Sequence, residues 1–580
     1  MKTVPFKLIA LFLRNSRRLI VFAVLVGILA GVTSVALMGL INSKVAQPQS
    51  FSAQIVWAFA GLAFVDLMAN FAAGLLATRI AHDNSFELRM NLCRQILAAP
   101  LRRLEEAGPH RILAALTQDV QNLTNAFIRL PPLFLNLAIV IGCLIYLSWL
   151  SKVMFFALLI FLAVSVLSWT LPERRAKRFL GVARDQWSTL VDHFRSMTEG
   201  AKELKLHRDR RAAFLSQNLL ISARAFKDDS ITAGRIYSLV NSWSQVLYFV
   251  VIGLMLFAFP RLIGGVSQLV VTGFALTVLY LRGPMVNLMN IVPYFSAAQV
   301  SHRAIADLGL SLTRTGLEDP EAPLQFDPNP LWQRLELHHV THKYYREKEN
   351  GNFSLGPIDL VFRRGELVFI VGGNGSGKTT LTKLLTGLYV PEGGTISVDA
   401  QHITDETRES YRQYFSAVFA DFYLFPELLG LGNAGLDERA REYISQLELD
   451  GKVELHDHKL STTELSFGQR KRLALLTAFL EDRQIYVFDE WSAGQDPYFK
   501  EVFYYHILPE LKTRGKTVIV VSHDDRYYHI ADRLIKLENG RVEYDKPVDA
   551  DLIAAISAPK FLPSYPHAML KSLVEESAAD

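Results

Sequence analysis

Six apolar runs decide what this chain can fold into. They cover residues 19–41, 51–76, 130–150, 153–171 and 236–259, with a sixth that begins at 269–281 and must continue past Arg282 to reach the length of a span. A helix rises 1.5 Å per residue, so about twenty apolar residues cross the hydrocarbon core of a bilayer. Half of the 580 residues are hydrophobic and the mean hydropathy is +0.18, high for a soluble chain of this length. Lys2, Lys7, Arg14, Arg17 and Arg18 precede the first run, which is about twice the usual length of a signal-peptide core and is closed by no small-residue cleavage site. It reads as a first transmembrane helix entering from the cytoplasm.

Six spans return both chain ends to one side. The short outer loops then carry only Lys44, Lys152 and Arg261, while the inner segments are crowded with Lys and Arg, as the positive-inside rule requires. Asp66 interrupts the second run. Near mid-bilayer it costs about 3 kcal/mol, which its large apolar neighbours offset, so it is expected to face protein or a water-filled cavity. Two charged, helix-compatible stretches, 77–129 and 172–235, are each long enough for a helix out and a helix back, reaching roughly 37 Å from the membrane. They read as levers with tips at 105–116 and 199–211. Polar and aromatic residues within the spans, among them Asn70, Asn136, Asn241, Trp243, Tyr248, Asn287, Asn290 and Tyr294, either line a cavity or glue helices together.

The second half changes character after a stretch rich in Pro, Asp and Glu at 308–330. Residues 369–384 read FIVGGNGSGKTTLTKL, an apolar strand running into Gly372, four residues, then Gly377, Lys378 and Thr379. That spacing is a P-loop, in which backbone N–H groups at a helix N-terminus cradle phosphates. Gly372, Gly373, Gly375 and Gly377 let the backbone turn around an anion, Lys378 supplies a cation to the outer phosphates, and the Thr379 hydroxyl can ligate magnesium. Residues 485–490, IYVFDE, form an apolar strand ending in paired carboxylates. Asp489 is placed to hold magnesium and Glu490 to orient or deprotonate an attacking water. Upstream lies LSFGQRKRLAL at 465–475, and downstream Asp496 and then VIVVSHDD, in which His523 ends a buried-type strand. His338, His339 and His342 crowd a strand whose alternation puts neighbours on opposite faces, so they read as ordinary strand residues rather than a metal site. Cys93 and Cys143 lie in unlike surroundings and suggest no disulfide. With 61 basic against 57 acidic residues, the charge makes no case for nucleic acid.

Taken together and in this order, these segments resemble the ATP-binding cassette family over essentially the whole chain. The resemblance assigns Walker A to 372–380, which includes Asn374, Ser376 and Thr380, the signature to 465–469 with Ser466, Gly468 and Gln469, the D-loop to Asp496 and the switch histidine to His523. By position Tyr344 is the adenine-stacking aromatic, with Tyr345 as the other choice. It implies an α-helical six-span transmembrane domain of the type I exporter (type IV) fold at 1–318, an α/β P-loop nucleotide-binding domain at 319–549 and a C-terminal tail at 550–580. It also implies a homodimer in a bacterial inner (plasma) membrane, with cytoplasmic cassettes, ATP and Mg2+ as cofactors, and two composite ATP sites in which Lys378, Glu490 and His523 carry the hydrolysis.

Three departures stand out. Ala420 in VFADFYLF occupies the place of the Q-loop glutamine, and Asp421 is the nearest group with acceptor oxygens. Phe467 replaces the commonest signature glycine, and WSAGQDP follows Walker B at 491–497. DEW followed by QDP, with a glutamine-less Q-loop, is similar to the branch that exports cyclic peptides and peptide siderophores. The expectation is ATP-driven export of such a peptide. Lipid or drug flipping on the same architecture, an importer reusing it, and an ATP-binding sensor without transport are the alternatives.

Overall fold

The computed structural model describes residues 4–46, 53–259, 261, 267–307, 324–346, 351–431 and 435–552. The helical half comprises α1 (Val4–Ala46), α2 (Ala53–Leu97), the short α3 (Leu101–Ala107), α4 (Pro109–Leu150), α5 (Lys152–Glu199), α6 (Ala201–Leu206), α7 (Arg208–Ala258) and α8 (Gln268–Asp307). Among the described residues five helices are long and apolar enough to cross a membrane: Arg18–Val45 within α1, then α2, α4, α7 and α8. The fourth expected span, 153–171, falls at the start of the 48-residue α5, where Lys152–Phe161 is apolar. Several side chains beyond Phe161 lie outside the described residues. Helix α8 carries on past Arg282, as its length requires, and contains Pro284 and Pro293.

Two compact units result, one of Met1–Cys93 with His110–Leu308, the other of Arg94–Pro109 with Gly309–Asp580. In the first, α5 packs along α7, and α1 packs against α4 and α8. Its core joins Cys143 and Leu147 of α4, Met154 and Leu158 of α5, Met255 of α7, and Phe274 and Val278 of α8. Asp66 faces protein. One carboxylate oxygen accepts from Thr33 Oγ1 at 3.0 Å and Ser34 Oγ at 2.6 Å on α1, and the other from Asn70 Nδ2 at 3.1 Å. The remaining polar residues of the spans mostly act as glue. Asn287 donates to Asn136 at 3.4 Å, Trp243 to Ser168 at 3.3 Å, Tyr248 meets Met285, and Arg129 sits 4.7 Å above the Tyr294 ring. Asn241 and Asn290 stand exposed on α7 and α8.

The second unit is built on two sheets. Strands β1 (Arg334–Arg346), β2 (Gly351–Arg363), β4 (Gly393–Val398) and β5 (Gln401–His402) form an antiparallel sheet in the order β2-β1-β4-β5. Strands β3 (Leu367–Gly372), β6 (Phe415–Val418), β9 (Ile485–Asp489), β10 (Thr517–Val521), β11 (Arg533–Glu538) and β12 (Arg541–Pro547) form the other, in the order β12-β11-β3-β10-β9-β6. All of its pairings are parallel except β11 with β12. The short hairpin β7 (Leu455–His456) and β8 (Lys459–Leu460) stands apart. Strands β3, β9 and β10 are apolar at almost every position because both faces are covered. Phe369, Phe488 and Val520 enter one core, and Ile370, Val487 and Ile519 the other. The carboxyl ends of these strands therefore lie side by side, where doubly wound sheets place their ligands.

The tip of the first lever lies several residues earlier than the composition suggested. The outgoing helix stops at Leu97, ahead of Pro100, and the returning one begins with Pro109. Proline cannot donate to the preceding turn but suits a first helical position. Between them α3 packs into the nucleotide unit. Glu105 accepts from Lys383 Nζ at 2.7 Å and from the Tyr389 hydroxyl, Arg102 pairs with Glu392 at 2.7 Å, and Leu101 packs on the core. The second tip, α6, lies between Gly200 and His207, within the expected range.

His338 and His339 pair with Glu336 and Asp359 at 3.2 and 3.1 Å, whereas His342 is buried and stacks on Tyr389 with ring centroids 5.0 Å apart.

Candidate functional site

The P-loop leaves the end of β3 and turns into α9 (Lys378–Leu385), so the free N–H groups of the helix start face the loop. Gly377, the last loop residue, has φ +101°, and a Cβ there would meet Leu355 Cδ1 at 2.8 Å, so only glycine fits. Lys378 folds back across the loop and donates to the carbonyls of Gly372 at 3.1 Å and Gly373 at 3.0 Å. Its side chain is nearly buried, which lowers its pKa, while Glu490 and Asp489 pull the other way. Gly373, Asn374, Gly375 and Thr379 are exposed, and Thr380 is half-buried. A ligand can reach the loop from solvent.

Among the described residues three buried polar atoms here have no hydrogen-bond partner: Ser376 Oγ and both carboxylate oxygens of Asp489. Such atoms are costly to leave unsatisfied, and around a P-loop they fit a phosphate chain and a divalent cation. Burial pushes the Asp489 carboxyl up from its ordinary value, and the Thr379 hydroxyl and Lys378 pull it down. The donor set is all oxygen, from a carboxylate and a hydroxyl, as magnesium prefers. Glu490 follows at once, with its backbone in the left-handed region at φ +50°. Its Oε1 lies 3.1 Å from His523 Nε2, just past the end of β10. Ser522, beside that histidine, is tied through the buried Tyr504 hydroxyl (2.8 and 2.9 Å) to Ser492 beyond Glu490. This bridge links the two segments that carry Glu490 and His523.

After α9 come α10 (Arg408–Arg412) and α11 (Leu436–Gln446), and the signature residues cap α12 (Phe467–Glu481). Ser466 Oγ accepts from the Gln469 amide at 3.4 Å, and the Gln469 side chain accepts from the Ser466 amide at 3.2 Å, a capping box. Ser466 itself is exposed, and Gly468 is half-buried beside it. Asp496 caps the next helix, α13 (Pro497–Glu501), by accepting from Phe499 N at 2.9 Å; that bond, with the Arg472 guanidinium beside it, holds its carboxyl below the usual range. Asp421 sits exposed in the turn after Ala420, and its charge reaches Asp489. The Tyr344 and Tyr345 side chains lie outside the described residues, although the backbone of Tyr344 pairs with Phe353 in the sheet.

Sequence reasoning did not single out Lys471, Tyr504 or Ser522. For Lys471 a signal existed: it stands three and four residues before Ala474 and Leu475, on the stripe of α12 that is buried.

A parallel sheet with a P-loop, an acidic strand end and a capped signature helix, attached to long apolar helices, defines a membrane-bound nucleotide hydrolase. Residues 18–285 match the ABC transporter transmembrane region, and residues 355–493 match the ABC transporter domain. The chain belongs to the ABC transporter family, as an exporter half-transporter whose cassette binds ATP and hydrolyses it in coupling to transport. It is 35% identical over 538 residues to the ATP-binding protein SyrD of Pseudomonas syringae pv. syringae, covering 90% of this chain and 94% of that one. It is 25% identical over 522 residues, 86% of this chain and 80% of the other, to the ATP-dependent lipid A-core flippase of Bordetella pertussis (strain Tohama I). A 236-residue stretch, 37% of this chain and 35% of the other, is 33% identical to the probable syringafactin export ATP-binding/permease protein SyfD of Pseudomonas syringae pv. syringae (strain B728a). A solved structure of a bacterial Atm1-family ABC exporter with ATP bound has the same fold, with a TM-score of 0.71 at 18% identity, covering 95% of this chain and all of that one.

Proposed function

We propose that two copies of this chain form a transporter that exports a peptide, cyclic or siderophore-like, from the cytoplasm across the inner membrane. The observation that carries the ATP-driven part is the Glu490–His523 pair at 3.1 Å, beside a buried Asp489 whose oxygens have no hydrogen-bond partner among the described residues. Lys378 and the N-terminus of α9 would bind the phosphates, and Thr379 and Asp489 would hold magnesium, which would supply positive charge against the phosphates. Glu490 orients the attacking water and takes its proton, and His523 orients Glu490. Tyr344 stacks on the adenine. Ser466, Gly468, Gln469 and Asp496 serve the ATP held by the partner chain, so each site needs both copies.

The peptide reading rests on the DEW and QDP segments and on the export named for the syringafactin protein. Lipid flipping is the second reading, favoured by the likeness to lipid A-core flippase over most of the chain. The two separate on one measurement: ATPase activity of the protein in liposomes, challenged with cyclic peptides, peptide siderophores and lipids. A peptide is expected to stimulate; stimulation by lipid alone rejects the peptide reading. Inside-out vesicles given ATP are expected to accumulate the peptide in the lumen, and accumulation in right-side-out vesicles instead makes the protein an importer.

A further inference from the structure

The segment after Walker B and the start of α12 grip each other from both sides. Lys471 Nζ donates to the carbonyls of Glu490 and Ala493, each at 2.8 Å, and Trp491 Nε1 donates back to the Lys471 carbonyl at 2.8 Å. Gln495 Nε2 donates to the Gly468 carbonyl at 2.9 Å, and Arg472 reaches both Gln495 and Asp496. Lys471 is 2% exposed and Trp491 1%, the latter stacked 4.3 Å from Phe503. Phe467 lies over Gly494, where φ is +80° and a Cβ would meet its ring at 3.1 Å.

The carbonyl that Lys471 holds belongs to Glu490, whose backbone is left-handed, a conformation that a non-glycine residue keeps only when its surroundings impose it. An apolar side chain of the same length would fill the space around Lys471. Only a donor at its end can hold two carbonyls of the turn from which the Glu490 carboxylate projects toward His523. The ammonium stays in place despite burial because those carbonyls, and the Phe467 ring 5.0 Å away, compensate it.

We infer that Lys471 is a positioning residue for Glu490: it fixes the turn that aims the carboxylate, and so makes hydrolysis answer to the signature helix. This rests on the reading of Glu490 as the group that activates water. Full-length protein in liposomes is compared as wild type, Lys471→Met, Lys471→Gln, Glu490→Gln and the Lys471→Met/Glu490→Gln double variant. Lys471→Met is expected to lower kcat at least tenfold with KM for ATP within twofold, and Lys471→Gln, which keeps a donor, to recover part of that loss. In the Glu490→Gln background, Lys471→Met is expected to change the residual rate less than twofold, because the group it positions has gone. A wild-type kcat in Lys471→Met beside a slow Glu490→Gln overturns this inference alone, as does an undiminished tenfold loss in the double variant. Normal turnover in Glu490→Gln overturns the role of Glu490 and this inference with it. Should Lys471→Met fail to fold, Lys471→Gln carries the comparison: a lowered kcat at unchanged KM supports the inference, and wild-type kinetics overturn it.

Discussion

Glu105, on the helix at the tip of the first lever, accepts a hydrogen bond from Lys383 at 2.7 Å, and Lys383 stands on the helix that starts at the P-loop. The tip of the first lever is thereby tied to the helix that starts at the P-loop. Both groups are partly exposed, so after solvent screening the contact is worth about 1 kcal/mol, or roughly fivefold in the docked population. Glu105→Ala is expected to leave basal ATPase activity within about twofold while substrate stimulation and transport fall about fivefold. Full stimulation in that variant would show that Leu101 and the Arg102–Glu392 pair suffice.

Replacing Glu490 by glutamine keeps the shape of the site but, on the role proposed for Glu490, removes the base. ATP binding should persist and hydrolysis slow at least about a hundredfold. On the proposed role of Lys378, Lys378→Ala should instead weaken nucleotide binding, since a phosphate contact would be lost from the ground state as well as the transition state. Equilibrium binding of a fluorescent ATP analogue together with single-turnover hydrolysis separates the two; equal behaviour of both variants contradicts the assignment.

Asp421 tests the altered Q-loop. Its charge already reaches Asp489, and Ala420 has no group to offer a metal or a water. Asp421→Ala is expected to reduce ATPase activity several-fold with the melting temperature unchanged. Activity and substrate stimulation that both survive would leave the loop a packing element.

His342, stacked on Tyr389, gives the nucleotide unit an acid sensitivity. Burial, and then the Arg102 guanidinium, push its pKa below the ordinary value, with Glu392 pulling upward. The unfolded chain then binds the proton more readily than the folded one, so stability rises with pH through this group and is lost as pH falls below about 6.5. Melting temperature should drop between pH 7 and pH 5.5, and His342→Phe, which keeps the stack, should flatten that part of the drop. Identical slopes in the two proteins would place the acid sensitivity elsewhere.

What could be read from the chain beforehand follows from how local the physics is. Gly372 to Thr379 and the IYVFDE strand were legible because phosphate and metal chemistry demand particular residues at fixed spacing beside a strand. Apolar length marked the long helices for the same reason. Pro100 was not read as the end of the outgoing lever, because composition there favours a helix on both sides of it. The grip between Lys471 and Trp491 spans twenty positions and depends on α12 lying beside the end of β9, which no local pattern reveals. Asn136 and Asn287 could not be told apart from cavity-lining residues until each was seen to face the other.

Asp66 also has a history within the making of the protein. Its hydroxyl partners, Thr33 and Ser34, lie on α1, which is synthesised first, while Asp66 arrives on α2. Alone in hydrocarbon the carboxylate costs about 3 kcal/mol, and Asn70 on the same helix satisfies only one of its oxygens. Once both helices are in the membrane, Thr33 and Ser34 satisfy the other oxygen, so the first two helices are best seen as one hairpin latched at Asp66 rather than as two independent anchors.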